Sequence, residues 1–231
     1  MPDVQLTWLG HGSFRFDTPR GKRVYVDPFF DNPKFPENER QPERIDILAV
    51  THGHSDHIGN SVELINQFKP TVVGMLELVG WLGGQGAEVG EMPGTNKGGT
   101  RDVDGVKLTL TDAKHSSSGP NGEYLGDPAG FVVEVENGTK LYFAGDTCVF
   151  GDMQLIGRIY EPDVAVIPIG DHFTMGPKEA AVAVELLGVK RIVPCHYGTF
   201  GLLTGTRDEF EKLAPSGFTI EKIEPGESVT V

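Results

Sequence analysis

The chain has 231 residues, 38% of them apolar, with 13 Phe, 31 Gly, 16 Pro and a formal net charge of −13. That length suits one large domain or two small ones, with apolar mass for a sizeable core and turn formers for many tight loops. The acidic balance argues against a nonspecific nucleic-acid or anionic-membrane surface, and no apolar run approaches the length of a transmembrane helix.

Taken in order, the opening residues from Met1 and Pro2 onward show no basic region followed by an apolar stretch. No signal peptide is expected, and the protein is expected in the cytosol. Residues 4–9 and 13–17 read as strands joined by Gly10-His11-Gly12, and residues 23–27 pair back across Pro19-Arg20-Gly21. The apolar run 45–50 is another strand, and it runs straight into Thr51-His52-Gly53-His54-Ser55-Asp56-His57-Ile58-Gly59. Asn60 with Glu63 three residues on predicts a capping box, opening a helix that Pro70 closes. Residues 80–101 are rich in Gly and could form a loop over a site, with Lys97 and Arg101 as its basic residues. Asp104-Gly105 marks a turn before Val106, and Asn137-Gly138 between strands 131–136 and 139–144 signals a two-residue hairpin. A helix starts at Pro177 and stops at Gly188, and Thr206 with Glu209 caps a last short one. Periodicity alone gives α/β or α+β.

The segment 52–57 places three imidazoles and a carboxylate within six positions at a strand end. Folding gives no reason for such crowding, since protonated imidazoles repel one another, whereas a divalent cation binds neutral imidazole and ionised carboxylate directly. His52 and His54 are two apart, so in an extended chain both face one ion. Asp56 and His57 follow as the chain turns into a helix and face a second. Two ions about 3.5–4 Å apart can share a bridging hydroxide and activate it as a nucleophile.

The H-x-H-x-D-H string resembles the signature of the metallo-β-lactamase superfamily, whose members are mostly hydrolases. The resemblance implies a four-layer αββα sandwich and three further ligands, each after a later strand. His115 follows strand 106–111, Asp146 follows 140–145, and His196 follows 191–195. It implies His52, His54 and His115 on one ion, Asp56, His57 and His196 on the other, and Asp146 bridging them. These ligands run from 52 to 196, so residues 1–231 are read as a single domain closing around one site. The segments around His11 and around His172 resemble a branch of metal-dependent hydrolases similar to the ascorbate-6-phosphate lactonase group. In that branch the early His lies near the metals. His11 and His172 are therefore expected beside the ligands rather than among them, and with Asp56 they are the candidate catalytic residues.

With His54 in place of a Glu, the site lacks the carboxylate expected in related di-iron oxygen-reducing proteins, so hydrolysis is favoured over redox chemistry. The donor set suits two Zn²⁺ ions, with Mn²⁺ or Fe²⁺ as alternatives. A metal-bound water with a pKa of roughly 7 needs no Ser or Cys nucleophile. Neither G-x-S-x-G nor a Walker A sequence competes with this reading. Cys148 and Cys195 form no C-x-x-C pair, and Cys195 reads as a buried structural thiol. The expected substrate is a small anionic ester, lactone or phosphodiester. Lys114 and Ser116-Ser117-Ser118 beside His115 could hold an anion, though serines there also suit a turn. A tRNA-processing nuclease, the alternative, would need a basic arm, and none is evident. A non-catalytic metal-binding module is the other alternative, set against a full complement of ligands. A homo-oligomer is expected only from the resemblance.

Overall fold

The strand that delivers the histidine cluster, β4 (Ile47–Val50), is buried along its whole length and is paired on both sides by parallel neighbours. A continuous apolar run is what such a doubly covered strand requires. The computed structural model describes residues 3–91 and 94–231. Met1 and Pro2, where the leader reading begins, lie outside the described residues, as do Met92 and Pro93 within the stretch 80–101.

Two mixed sheets pack face to face. The first contains β1 (Gln5–Trp8), β2 (Phe14–Asp17), β3 (Arg23–Val26), β4, β5 (Thr71–Gly74) and β13 (Ser228–Thr230), in the order β13-β1-β2-β3-β4-β5. The second contains β6 (Thr100–Val103), β7 (Val106–Asp112), β8 (Ala129–Glu134), β9 (Lys140–Phe143), β10 (Val164–Pro168), β11 (Arg191–Cys195) and β12 (Thr219–Ile220), in the order β12-β11-β10-β9-β8-β7-β6. Phe14 and Phe16 of β2 meet Phe143 of β9 across the interface, with ring centroids 5.8 and 6.1 Å apart. Offset and edge contacts of this kind are what aromatic rings prefer, and they tie the inner faces together.

Helices cover the outside. Leu64 and Ile65 of α2 (Ser61–Phe68) and Leu78, Val79 and Leu82 of α3 (Leu76–Gly84) join the main core. A second apolar cluster lies between the second sheet and helices α4 (Met153–Tyr160), α5 (Pro177–Leu187) and α6 (Arg207–Leu213), centred on Tyr142, Ile156, Val184, Ile192 and Phe210. This is the αββα sandwich that the histidine motif implied. No helix among the described residues is long and apolar enough to cross a membrane.

Local signals hold where turn chemistry is strict. Asp104 and Gly105 both have positive φ, 52° and 93°, between the paired Val103 and Val106. That is the backbone a two-residue I′ hairpin needs. Gly188 follows α5 in the left-handed region, and Thr206 accepts the N–H of Glu209 at the start of α6. Three expectations need correcting. The Asn137-Gly138 hairpin is one residue longer than expected, because Gly138 donates to the Val135 carbonyl and Val135 pairs with Thr139, leaving Glu136, Asn137 and Gly138 in the loop. Asn60 occupies the N-cap position of α2, but its side chain accepts from the N–H of Phe30, so no capping box forms. Residues 80–101 are not one loop over the site: α3 runs on to Gly84 and β6 starts at Thr100.

Candidate metal centre

The centre is built from the ends of β3, β4, β7, β9 and β11, where an α/β sheet presents its loops. Beyond β4, Thr51 donates from both N–H and hydroxyl to the carboxylate of Asp27, at 2.7 Å each. His52 is fully buried, and Asp56 and His57 lie in α1 (Ser55–Ile58), a single turn opened by His54. Gly12 makes room for this arrangement: a Cβ there would stand 2.8 Å from Cε1 of His57.

The seven residues expected as ligands converge. The rings of His52, His54 and His115 stand 4.7–5.2 Å apart and nearly perpendicular to one another, at 81–88°. Nε2 of His52 and Nδ1 of His54 are 3.0 Å apart. A second group gathers Asp56, His57 and His196 with His11, and a third joins His52, His57 and Asp146. Oδ2 of Asp146 lies between the first two groups, 3.1 Å from Nε2 of His196 and 3.3 Å from Nε2 of His57. On its other side it is 3.6 Å from Nε2 of His115 and 3.9 Å from Nε2 of His52.

Hydrogen bonding aims the lone pairs inward. Nδ1 of His57 donates to Asp27 Oδ2 at 2.7 Å, so its Nε2 is the nitrogen turned toward the cluster. Thr51 spends its hydroxyl proton on Asp27 and can accept from Nδ1 of His52 at 3.0 Å, which turns Nε2 of His52 toward the cluster, beside Nδ1 of His54. Nε2 of His57 and both ring nitrogens of His196 are buried without a hydrogen-bond partner. Buried orphan nitrogens are costly and uncommon, and several meeting at two carboxylates fit a bound cation.

Charge fits as well. Burial lowers His52 well below the ordinary histidine range and lowers His54 and His115 too, so this triad is neutral and ready to coordinate. Burial also opposes charge on His57 and His196. There the carboxylates win: Asp146, Asp27 and Asp56 raise His57 well above its usual value, and Asp146 first among the partners raises His196 to about 9. Against the cost of burial, His196 and His57 hold Asp146 well below the carboxylate range, and His57 and His11 do the same for Asp56. The second group thus carries protons that a cation would replace.

The two remaining histidines part company. His11 is fully buried and left-handed at φ 52°, with Nε2 2.9 Å from Asp56 Oδ2 and Nδ1 3.0 Å from the Thr199 hydroxyl. Burial, opposed by the bond to Asp56, lowers it to about 4. A neutral ring must donate from Nε2 to the ionised Asp56 and accept from Thr199 at Nδ1. Both nitrogens are then committed, so His11 orients Asp56 and has no free nitrogen for a substrate. His172 is not brought to the centre. It is exposed, its ring packs edge-on against Phe173 at 4.5 Å, and it makes no contact with the seven residues. Asp171 and His172 are left-handed, φ 63° and 59°, in the tight turn between β10 and α5.

Other expectations sort similarly. Ser117 accepts the N–H of Gly53 and Ser116 lies 3.3 Å from Nε2 of His54, so two of the three serines brace the histidine loop. Lys114 is paired with Asp112, and Lys97 with Asp112 and Asp127. Cys195 is buried and its thiol is pushed well up by burial, then by Asp146 and Asp27. It lines a cavity of about 10 Å³ with Asp27, His57 and Asp146 but belongs to none of the converging groups. Asp27 is the residue the sequence reading missed. Its signal was present, a carboxylate closing an apolar strand, but it stands before Pro28, where an Asp also suits a turn.

A sandwich of two mixed sheets with a His/Asp cluster at the strand ends defines a class, the metallo-β-lactamase fold. Comparison with known proteins agrees: a family model described as the beta-lactamase superfamily domain matches residues 22–197, so the chain belongs to that superfamily. Within it, the relatives are metal-dependent hydrolases. One from Herpetosiphon aurantiacus is 47% identical over 100% of this chain and 99% of its own length. Another, from Methanosarcina barkeri, is 41% identical over 99% of each chain. Among solved structures, a metallo hydrolase from the archaeon Ignicoccus hospitalis superposes with a TM-score of 0.84 at 32% identity, covering 99% of this chain and 98% of that one. The protein is a metal-dependent hydrolase whose His/Asp cluster is able to hold metal.

Proposed function

We propose that the cluster is a binuclear centre acting on a small anionic ester, lactone or phosphodiester. His52, His54 and His115 would hold one ion and Asp56, His57 and His196 the other, with Asp146 placed to serve both. The observation that carries this reading is the position of Asp146 Oδ2, within 4 Å of ring nitrogens from both histidine groups. Zn²⁺ suits this donor set of imidazoles and carboxylates best.

Divalent ions held there would supply a hydroxide nucleophile at neutral pH and polarise the scissile bond. The chain's own residues do the positioning. Asp27 and Thr51 fix the tautomers of His57 and His52, and His11 holds the carboxylate of Asp56. His54, His115 and Asp56 are the partly exposed members, so the substrate approaches across them. Cys195 is not placed as a nucleophile, since it is buried and held as the thiol.

The test is a turnover screen of metal-loaded protein on bis-p-nitrophenyl phosphate, p-nitrophenyl esters, sugar-phosphate lactones, nitrocefin and thioesters. Turnover of an ester, lactone or phosphodiester, abolished by chelation and restored by Zn²⁺, is expected. Salt-sensitive binding and endonucleolytic cleavage of structured RNA, or no turnover of any probe, would overturn the reading.

A further inference from the structure

Strands β10 and β11 are parallel neighbours, so the loops that follow them, 169–176 and 197–206, leave the same end of the sheet as His196. The two loops are tied together. Gly205 donates to the Gly170 carbonyl at 3.0 Å, and the Thr204 hydroxyl reaches Asp171 at 3.3 Å. Between them they leave three large apolar side chains in solvent: Phe173 at 50% exposure, Phe200 at 38% and Leu202 at 55%. Single exposed apolar residues are ordinary, but three on two hydrogen-bonded loops bring apolar surface to this end of the sheet. Phe200 connects this surface to the centre, its ring standing edge-on to His11 with centroids 5.2 Å apart. His11 in turn holds Asp56.

Charge around the centre points the same way. Lys97 and Lys114, the basic residues on the β7 side of the centre, are already paired with acidic side chains. The anionic or electrophilic group of a substrate is then met by the cations of the centre, and what projects toward the β10 and β11 loops meets hydrocarbon.

We propose that Phe200, together with Phe173 and Leu202, is a specificity subsite for an alkyl or aryl portion of the substrate. The proposal rests on the binuclear reading above and narrows it: the ester, lactone or phosphodiester carries an apolar substituent. Seating a chain on such a rim removes methylene groups from water, and each one fully buried is worth about fourfold in affinity.

The experiment titrates methylphosphonate and octylphosphonate into the metal-loaded protein by calorimetry, with metal content measured in parallel. Octylphosphonate is expected to bind about tenfold or more tighter, since partial burial of a few methylenes suffices. Phe200→Ser should weaken octylphosphonate at least about fivefold more than methylphosphonate, with metal content retained. The double variant F173S/L202S should erode the same preference. Equal binding of the two phosphonates, or a preference untouched by both variants, would overturn the subsite while leaving the metal centre standing. Binding of neither, with no turnover of any probe, would sink the binuclear reading and the subsite with it. Self-association of the chain that the double variant abolishes, with no chain-length preference, would assign the surface to a second copy and overturn the proposal.

Discussion

Oδ2 of Asp27 accepts from Nδ1 of His57 at 2.7 Å. The same oxygen takes the hydroxyl of Thr51, which stands 3.0 Å from Nδ1 of His52. One buried carboxylate therefore sets the tautomer of a histidine in each of the two groups that face the candidate metals. A carboxylate behind a metal-binding imidazole fixes the ring and raises its basicity. Here it does so directly for His57 and orients His52 through Thr51, from a strand end that contributes no ligand of its own.

Replacing Asp27 with Asn removes the charge and keeps the shape. Metal affinity should fall about 10- to 100-fold, as is typical when such a supporting group is lost. Competition against a chromophoric chelator measures it. Affinity equal to the parent's would show that the bond from Asp27 to His57 plays no part in holding metal.

His11→Ala should keep the metal content of the parent and lower kcat by about 10- to 100-fold, because Asp56 loses its anchor but not its place in α1. His172→Ala should turn over at the parent rate. Elemental analysis and steady-state kinetics on both variants decide the matter. Loss of metal from the His11 variant would make that ring a ligand, and a slow His172 variant would mean that its exposed loop reaches the reaction.

Much of this centre was legible in the sequence because its proposed ligands share one signal, a His or Asp shortly after an apolar strand. His52, His115, Asp146 and His196 all follow that rule, and H-x-H-x-D-H adds spacing that few other arrangements need. What was not legible depends on where loops turn. His172 also follows a buried strand, yet its loop turns the ring into solvent. Asp27 carries the strand-end signal too, but its partners Thr51 and His57 lie far along the chain and are joined to it only by the β3–β4 pairing. Asn60 has the right sequence for a cap, but Phe30 supplies a donor from another loop. Tertiary partners decided each of these cases.

Asp146→Asn should cut turnover by orders of magnitude, since the oxygen between the two histidine groups loses its charge. Bound metal should fall below the parent's value in the same preparation. A variant with parent activity would show that bridging by Asp146 is dispensable.

The cysteines should separate under alkylation. Cys148 is exposed and should react with iodoacetamide in the native protein, whereas buried Cys195, held as the thiol, should react only after unfolding. Peptide mass mapping reads both. Cys195→Ser should keep most of the hydrolytic activity, and an acyl or phosphoryl adduct trapped on Cys195 would overturn the non-covalent assignment.

The most direct measurement is metal stoichiometry by elemental analysis, combined with anomalous diffraction from crystals of the metal-loaded protein. Two ions per chain are expected, about 3.5–4 Å apart. One should lie against His52, His54 and His115, the other against Asp56, His57 and His196, with Asp146 touching both. A metal-replete protein with no ion at these side chains, or with a single ion that Asp146 does not touch, would contradict the binuclear centre.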